Sequence, residues 1–215
     1  MEELQLTQEQ LKKGEQLFRQ SCEFMLGVAD LQSLPEMNAP EIAFAGRSNV
    51  GKSSLTNALF NDKTVARVSN TPGRTQQLNF FNLSNNALYM VDMPGYGYAQ
   101  APKDLVAKWQ DLIKQYLLGR QTLERVYVLI DARHGLKKVD IEFMKLLDTS
   151  AVSYQIILTK EDKITPSAMG HLIKDTQTIL QKHGAAHPFV LSTSAAKKTG
   201  LENVRAEIAK FCSSI

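Results

Sequence analysis

The chain has 215 residues, 43% of them hydrophobic and 22% charged, with a formal net charge of +3. That length suits one globular domain with modest extensions, large enough to bury a core without staples. No apolar run reaches the roughly 18 residues that a membrane span needs, and the acidic, polar start Met1–Gln10 resembles neither a signal nor a transit peptide, so a cytoplasmic protein is expected.

Thr7 with Gln10 forms a capping-box pattern that opens a helix through about Phe24, with Leu11, Phe18, Cys22 and Met25 on one face. Asp30–Pro40 carries two prolines and reads as a loop. Ile42–Ala45, a short apolar run before Gly46, is the first strand candidate. Further strands are predicted at Leu78–Leu83, Ala87–Val91, Val126–Asp131, Tyr154–Leu158 and Phe189–Leu191. Helices are predicted at Ser53–Phe60, Lys103–Leu118, Lys138–Asp148, Ser167–Lys182 and Leu201–Phe211. Val126-Tyr127-Val128-Leu129-Ile130 is apolar throughout, as expected of a strand covered on both faces of a parallel sheet. Ser84-Asn85-Asn86 separates two strands like a hairpin turn. The alternation predicts an α/β fold: a mostly parallel six-stranded sheet with one antiparallel edge strand and helices on both faces.

Gly46-Arg47-Ser48-Asn49-Val50-Gly51-Lys52-Ser53, followed by Ser54, matches G-x-x-x-x-G-K-[ST] between a strand and a helix. Glycines let the backbone wrap a phosphate closely, and the helix N-terminus adds a favourable dipole. Lys52 is placed to reach the β- and γ-phosphates and Ser53 to ligate Mg²⁺. Asp92-Met93-Pro94-Gly95 follows a strand, where Asp92 can hold the Mg²⁺ water shell and the Gly95 N–H can meet a γ-phosphate.

Thr159-Lys160-Glu161-Asp162 follows another strand and resembles the guanine motif [NT]-K-x-D. A carboxylate at Asp162 can accept from guanine N1–H and the 2-amino group together, a donor pair adenine lacks. Ser192-Thr193-Ser194-Ala195-Ala196, after the last strand, resembles the fifth GTPase motif, so Thr193, Ser194 and Ala195 join the candidates. Between the phosphate loop and Asp92 lies Ser69-Asn70-Thr71-Pro72-Gly73-Arg74-Thr75-Gln76-Gln77, the expected place of a switch whose threonine closes over Mg²⁺ and the γ-phosphate. Thr75 is chosen over Thr71, which precedes proline and shapes a turn. Lys52, Thr75 and Gly95 are the catalytic candidates; Ser53, Thr75 and Asp92 are the metal ligands.

The motifs Gly46–Ser54, Thr71–Gln76 and Asp92-Met93-Pro94-Gly95-Tyr96-Gly97-Tyr98-Ala99 together resemble the EngB (YihA/YsxC) family of bacterial GTPases, from about Leu17 to the C-terminus. That resemblance implies a Ras-like P-loop domain over residues 41–215, with residues 1–40 as an N-terminal helix and linker packed on it. It also implies GTP and Mg²⁺ binding, a role in large ribosomal subunit assembly, and a link to normal cell division and septation. Met93 stands where leucine is usual and Glu161 where alanine is frequent.

Tyr96 occupies the place of the glutamine that positions the attacking water in Ras-like enzymes, so slow intrinsic hydrolysis is expected. Asn49 resembles the asparagine that ligates K⁺ in cation-activated GTPases, the alternative being a loop-supporting hydrogen bond. The Tyr96–Asp104 region suits an order–disorder switch, and Trp109 is expected in the core. Cys22 and Cys212 show no metal or redox spacing, nor do the four histidines.

A basic tally along Arg120, Arg125, Arg133, Lys137, Lys138, Lys197 and Lys198 keeps open a nucleotide-gated RNA-binding module with negligible hydrolysis. A P-loop ATPase or small-molecule kinase is the third reading. The expected partners are guanine nucleotide and the large ribosomal subunit or its rRNA, with no DNA, no membrane and a monomeric chain.

Overall fold

The computed structural model describes residues 4–61, 77–96 and 103–212, with backbone alone at 103–107 and 109. Helix α1 (Gln8–Arg19) begins at the predicted box: Gln10 N donates to Thr7 Oγ1 at 3.2 Å and Thr7 N to Gln10 Oε1 at 2.8 Å. It stops at Arg19, short of Phe24. Cys22–Val28 is instead strand β1, paired antiparallel with β3 (Leu78–Leu83). The spacing of Phe18, Cys22 and Met25 continues a helical face. It is overridden because β3 otherwise presents an unpaired row of backbone groups.

The remaining elements follow the predicted order. They are β2 (Glu41–Gly46), α2 (Lys52–Phe60), β4 (Leu88–Asp92), α3 (Lys103–Gly119), β5 (Leu123–Asp131), α4 (Lys138–Thr149), β6 (Tyr154–Thr159), α5 (Pro166–Leu180), β7 (Leu191–Ser192) and α6 (Leu201–Ala209). The α/β fold class expected from the alternation is borne out. Seven strands occur among the described residues rather than six, in the order β1-β3-β4-β2-β5-β6-β7. Among these described strands only the β1–β3 and β3–β4 pairings are antiparallel.

The sheet separates two cores. Ala43, Ala45, Val126, Val128 and Ile130 face one side, under Ile113, Tyr116, Phe143 and Leu147 of α3 and α4. Ile42, Phe44, Tyr127 and Leu129 face the other, under Leu17, Leu55, Leu59 and Val204 of α1, α2 and α6. Strict alternation along β2 and β5 therefore feeds both layers, which is why those strands read as unbroken apolar runs. α1 lies tightly on α6: a Cβ at Gly14 would sit 2.5 Å from Ala206 N.

Candidate functional site

The parallel strands β2, β4, β5, β6 and β7 end on one edge of the sheet, where ligands of open α/β sheets bind. Between Gly46 and Lys52 the chain must reverse within five residues. Asn49 (φ 62°) and Gly51 (φ 107°) take left-handed backbone to do so. Gly46 has no room for a side chain: a Cβ would lie 2.8 Å from Val50 Cγ1 and 3.0 Å from Leu129 O. Gly51, at the start of α2, offers no side-chain cap, leaving the first-turn N–H groups to other acceptors.

β4 delivers Asp92 beside this loop. Lys52 Nζ sits 3.3 Å from Asp92 Oδ1, and that buried oxygen has no hydrogen-bond partner among the described residues. Gly95 rests on the loop so closely that a Cβ would lie 3.0 Å from Ser48 N and 3.2 Å from Ser48 Cα. The neighbouring Tyr96 N donates to Gly46 O at 3.3 Å.

β6 ends in Thr159, whose buried hydroxyl donates to Val50 O at 2.6 Å. Lys160 then turns left-handed (φ 59°), and its ammonium donates to Asn49 O at 2.7 Å and Asp131 Oδ2 at 2.8 Å. Two consecutive residues of the guanine motif thus bind the backbone of the phosphate loop. Asp162 Oδ1 accepts from the Ser194 hydroxyl at 2.6 Å, and Oδ2 lies 3.1 Å from Lys163 Nζ. The Ser194 bond first, and Lys163 after it, hold the Asp162 carboxyl below the usual carboxylate range. Ser194 also accepts from Lys197 N at 3.0 Å, and Glu161 N donates to Thr193 O at 3.1 Å. Gly51, Thr159, Lys160, Asp162, Thr193 and Ala195 line an open cavity of about 440 Å³.

Residues 41–160 match the family model of the 50S ribosome-binding GTPases. A protein of Bradyrhizobium diazoefficiens described as "Probable GTP-binding protein EngB" is 55% identical over 94% of this chain and 93% of its own length. The chain belongs to the EngB family of GTP-binding proteins. A crystal structure of an EngB protein superposes with a TM-score of 0.63 at 23% identity, covering 80% of this chain and 97% of that one. Aquifex aeolicus Era, bound to GDP·AlF4⁻, gives a TM-score of 0.65 at 26% identity over 83% of this chain and 58% of its own.

In this EngB-family chain the structure gathers Gly46–Ser54, Asp92–Gly95, Thr159–Asp162 and Thr193–Ala195 on one edge of the sheet. Thr71, Gly73, Arg74, Thr75 and Gln76 lie outside the described residues, as do residues 97–102 and the Trp109 side chain. Gln77 is described, with its carboxamide against Gly27 of β1. The donor set suits a hard divalent cation. Asp92 offers an anionic oxygen free of hydrogen bonds, and Ser53 a hydroxyl in the first turn of α2. Among the described residues no three His, Cys, Asp or Glu cluster. Such a cation would then draw most of its shell from water and phosphate oxygens, as Mg²⁺ does.

Two acids escaped the sequence reading. Arg133 forks onto Asp131 (Nε to Oδ1 2.9 Å, Nη2 to Oδ2 2.7 Å), fixing the carboxylate that holds Lys160. Burial pushes the Asp131 pKa up, but the Arg133 and Lys160 bonds outweigh it and hold the carboxyl far below its usual range. Its signal was available: like Asp92, Asp131 is an acid ending an apolar strand. Asp140 is fully buried and accepts from the Tyr96 hydroxyl at 2.9 Å. Burial, then the Asp140 charge, pushes that phenol well above its ordinary pKa.

The basic tally divides. Arg120 is buried on Glu41, Arg125 pairs with Glu207 at 3.4 Å, and Arg133 is committed to Asp131. Lys137, Lys138, Lys197 and Lys198 remain exposed, at the start of α4 and on the β7–α6 connection.

Proposed function

We propose that this chain is a slow, Mg²⁺-dependent GTPase that works as a nucleotide switch in large ribosomal subunit assembly, and through it supports normal cell division and septation. The observation that carries the nucleotide reading is Asp162, an ionised carboxylate oriented by Ser194 at the mouth of a cavity walled by Gly51 and Lys160. A base in that cavity would lie along the Lys160 stem, with its phosphates on the backbone of Gly46–Ser53. Guanine supplies the N1–H and 2-amino donors that Asp162 requires, and adenine leaves that charge unpaired.

Lys52 would meet the β- and γ-phosphates. Ser53, Asp92 and Thr75 would hold Mg²⁺, which neutralises the charge developing between the phosphates. The slow rate follows from Tyr96: its hydroxyl is spent on Asp140 inside the core, so it cannot orient a water. K⁺ held by Asn49 would compensate, its carbonyl already anchored by Lys160 and its side chain exposed. Residues 41–215 are read as the GTPase domain, and 1–40 as an extension packed on it through α1 on α6 and β1 on β3. The large-subunit partner is supported by the description of the matching family and by the exposed lysines beside the site, the division role by the EngB resemblance alone.

Competition of GDP and ADP against a fluorescent guanine nucleotide tests the first part: GDP should bind at least tenfold tighter. GTP turnover with and without purified 50S particles tests the second. Turnover that stays negligible with saturating particles, alongside nucleotide-dependent particle binding, would favour a nucleotide-gated RNA-binding module.

A further inference from the structure

Asp140 is a carboxylate without solvent exposure, and among the described residues two hydrogen-bond donors and one ion-pair partner reach it from three separate pieces of chain. The Tyr96 hydroxyl reaches Oδ1 at 2.9 Å from just beyond β4. Arg47 Nε lies 3.2 Å from Oδ2, out of the phosphate loop itself. Lys137 N donates to Oδ2 at 2.8 Å, at the start of α4. The Tyr96 ring is fixed as well, stacked on Phe143 of α4 with centroids 4.5 Å apart.

A buried carboxylate is costly unless its partners stay in place, so these three segments are energetically tied. The tie has a mechanical consequence. Tyr96 and Arg47 form a parallel bridge, Tyr96 N donates to Gly46 O at 3.3 Å, and Gly95 is thereby pressed against Ser48. Arg47 Nε and Nη2 are buried without a well-formed hydrogen bond among the described residues. The pairing of Arg47 to Asp140 is thus electrostatic, at 3.2 Å.

We propose that Tyr96, Asp140 and Arg47 form a positioning latch that holds Gly95 against the phosphate loop in readiness for a γ-phosphate. The inference rests on the GTPase reading above and deepens it. Tyr96 acts through Gly95 and not on the attacking water. The latch orders the Gly95 peptide before the nucleotide arrives, so binding a γ-phosphate does not bear that entropic cost. GDP has no group at that place and is indifferent to the latch.

The test uses the full chain with Tyr96→Phe, which keeps the stacked ring and deletes only the hydroxyl. Affinities for GDP and for a non-hydrolysable GTP analogue are measured by fluorescence competition, with thermal midpoints alongside. The expected result is GDP affinity within twofold of wild type and GTP-analogue affinity weakened about ten- to a hundredfold, the range of one lost hydrogen bond to a charged group. Single-turnover hydrolysis should fall with it. Asp140→Asn, which keeps the shape and removes the charge, should shift the GTP-to-GDP ratio in the same direction. An equal change for both nucleotides, no change for either, or tighter binding of the analogue overturns the latch. Wild-type protein that fails to prefer guanine overturns the GTPase reading instead, so the two failures are told apart.

Discussion

Asp162→Asn bears most directly on the guanine pocket. In the structure Asp162 Oδ1 accepts from Ser194 and Oδ2 faces Lys163, with the side chain 9% exposed. Asparagine can keep the Ser194 bond through its own oxygen. It then presents an NH₂ group toward Lys163 and toward the guanine donors, in place of a charged acceptor. Losing one charge-assisted hydrogen bond costs about ten- to a hundredfold in affinity. The variant should therefore bind GDP and GTP about ten- to a hundredfold more weakly. Xanthosine nucleotides should gain, because xanthine carries a carbonyl where guanine carries the amine. The assay is competition of GDP, GTP and xanthosine diphosphate against a fluorescent guanine nucleotide. An unchanged guanine-to-xanthine preference would refute the assignment of Asp162. The wild-type pH profile supplies a second check. The carboxyl is held below its ordinary pKa, so guanine binding that depends on the ionised form should persist through the ordinary carboxylate range. It should be lost only as pH falls below that range; a loss centred at or above the ordinary carboxylate pKa counts against it.

Ser53→Ala and Thr75→Ala should both weaken Mg²⁺-dependent GTP binding, while only Thr75→Ala spares GDP; equal loss of both nucleotides on Thr75→Ala would reassign the switch threonine. Hydrolysis in KCl should exceed that in NaCl at equal ionic strength, and Asn49→Ala should abolish the difference while retaining GDP binding; equal rates leave Asn49 as a loop residue. Gly14→Ala should destabilise the fold by about 2–4 kcal/mol in urea melts, because its Cβ would meet the backbone of α6, 2.5 Å from Ala206 N and 2.6 Å from Arg205 C. A change below about 0.5 kcal/mol would mean that α1 moves freely on α6.

The legible parts of this protein are those whose signal is local in the chain. The Thr7–Gln10 box, the phosphate loop, the acid at the end of β4 and the apolar runs of β5 and β6 each lie within a few residues. There, backbone geometry alone dictates which side chains work. The strand β1 was not legible, because Cys22 and Met25 fit a helical face equally well and only the open edge of β3 decides between the two. Arg120 and Arg125 read as surface cations for a related reason. The burial of a charge depends on its partner, and Glu41 and Glu207 lie 79 and 82 residues away in sequence. Tyr96 could be read as a missing glutamine, but the partner of its hydroxyl, Asp140, lies 44 residues on. By itself the sequence determined the nucleotide motifs, their order and the α/β layering. The tertiary structure alone decided which charges are buried, which strand closes the edge and what the Tyr96 hydroxyl holds, because those outcomes are set by long-range pairing that no neighbouring residue encodes.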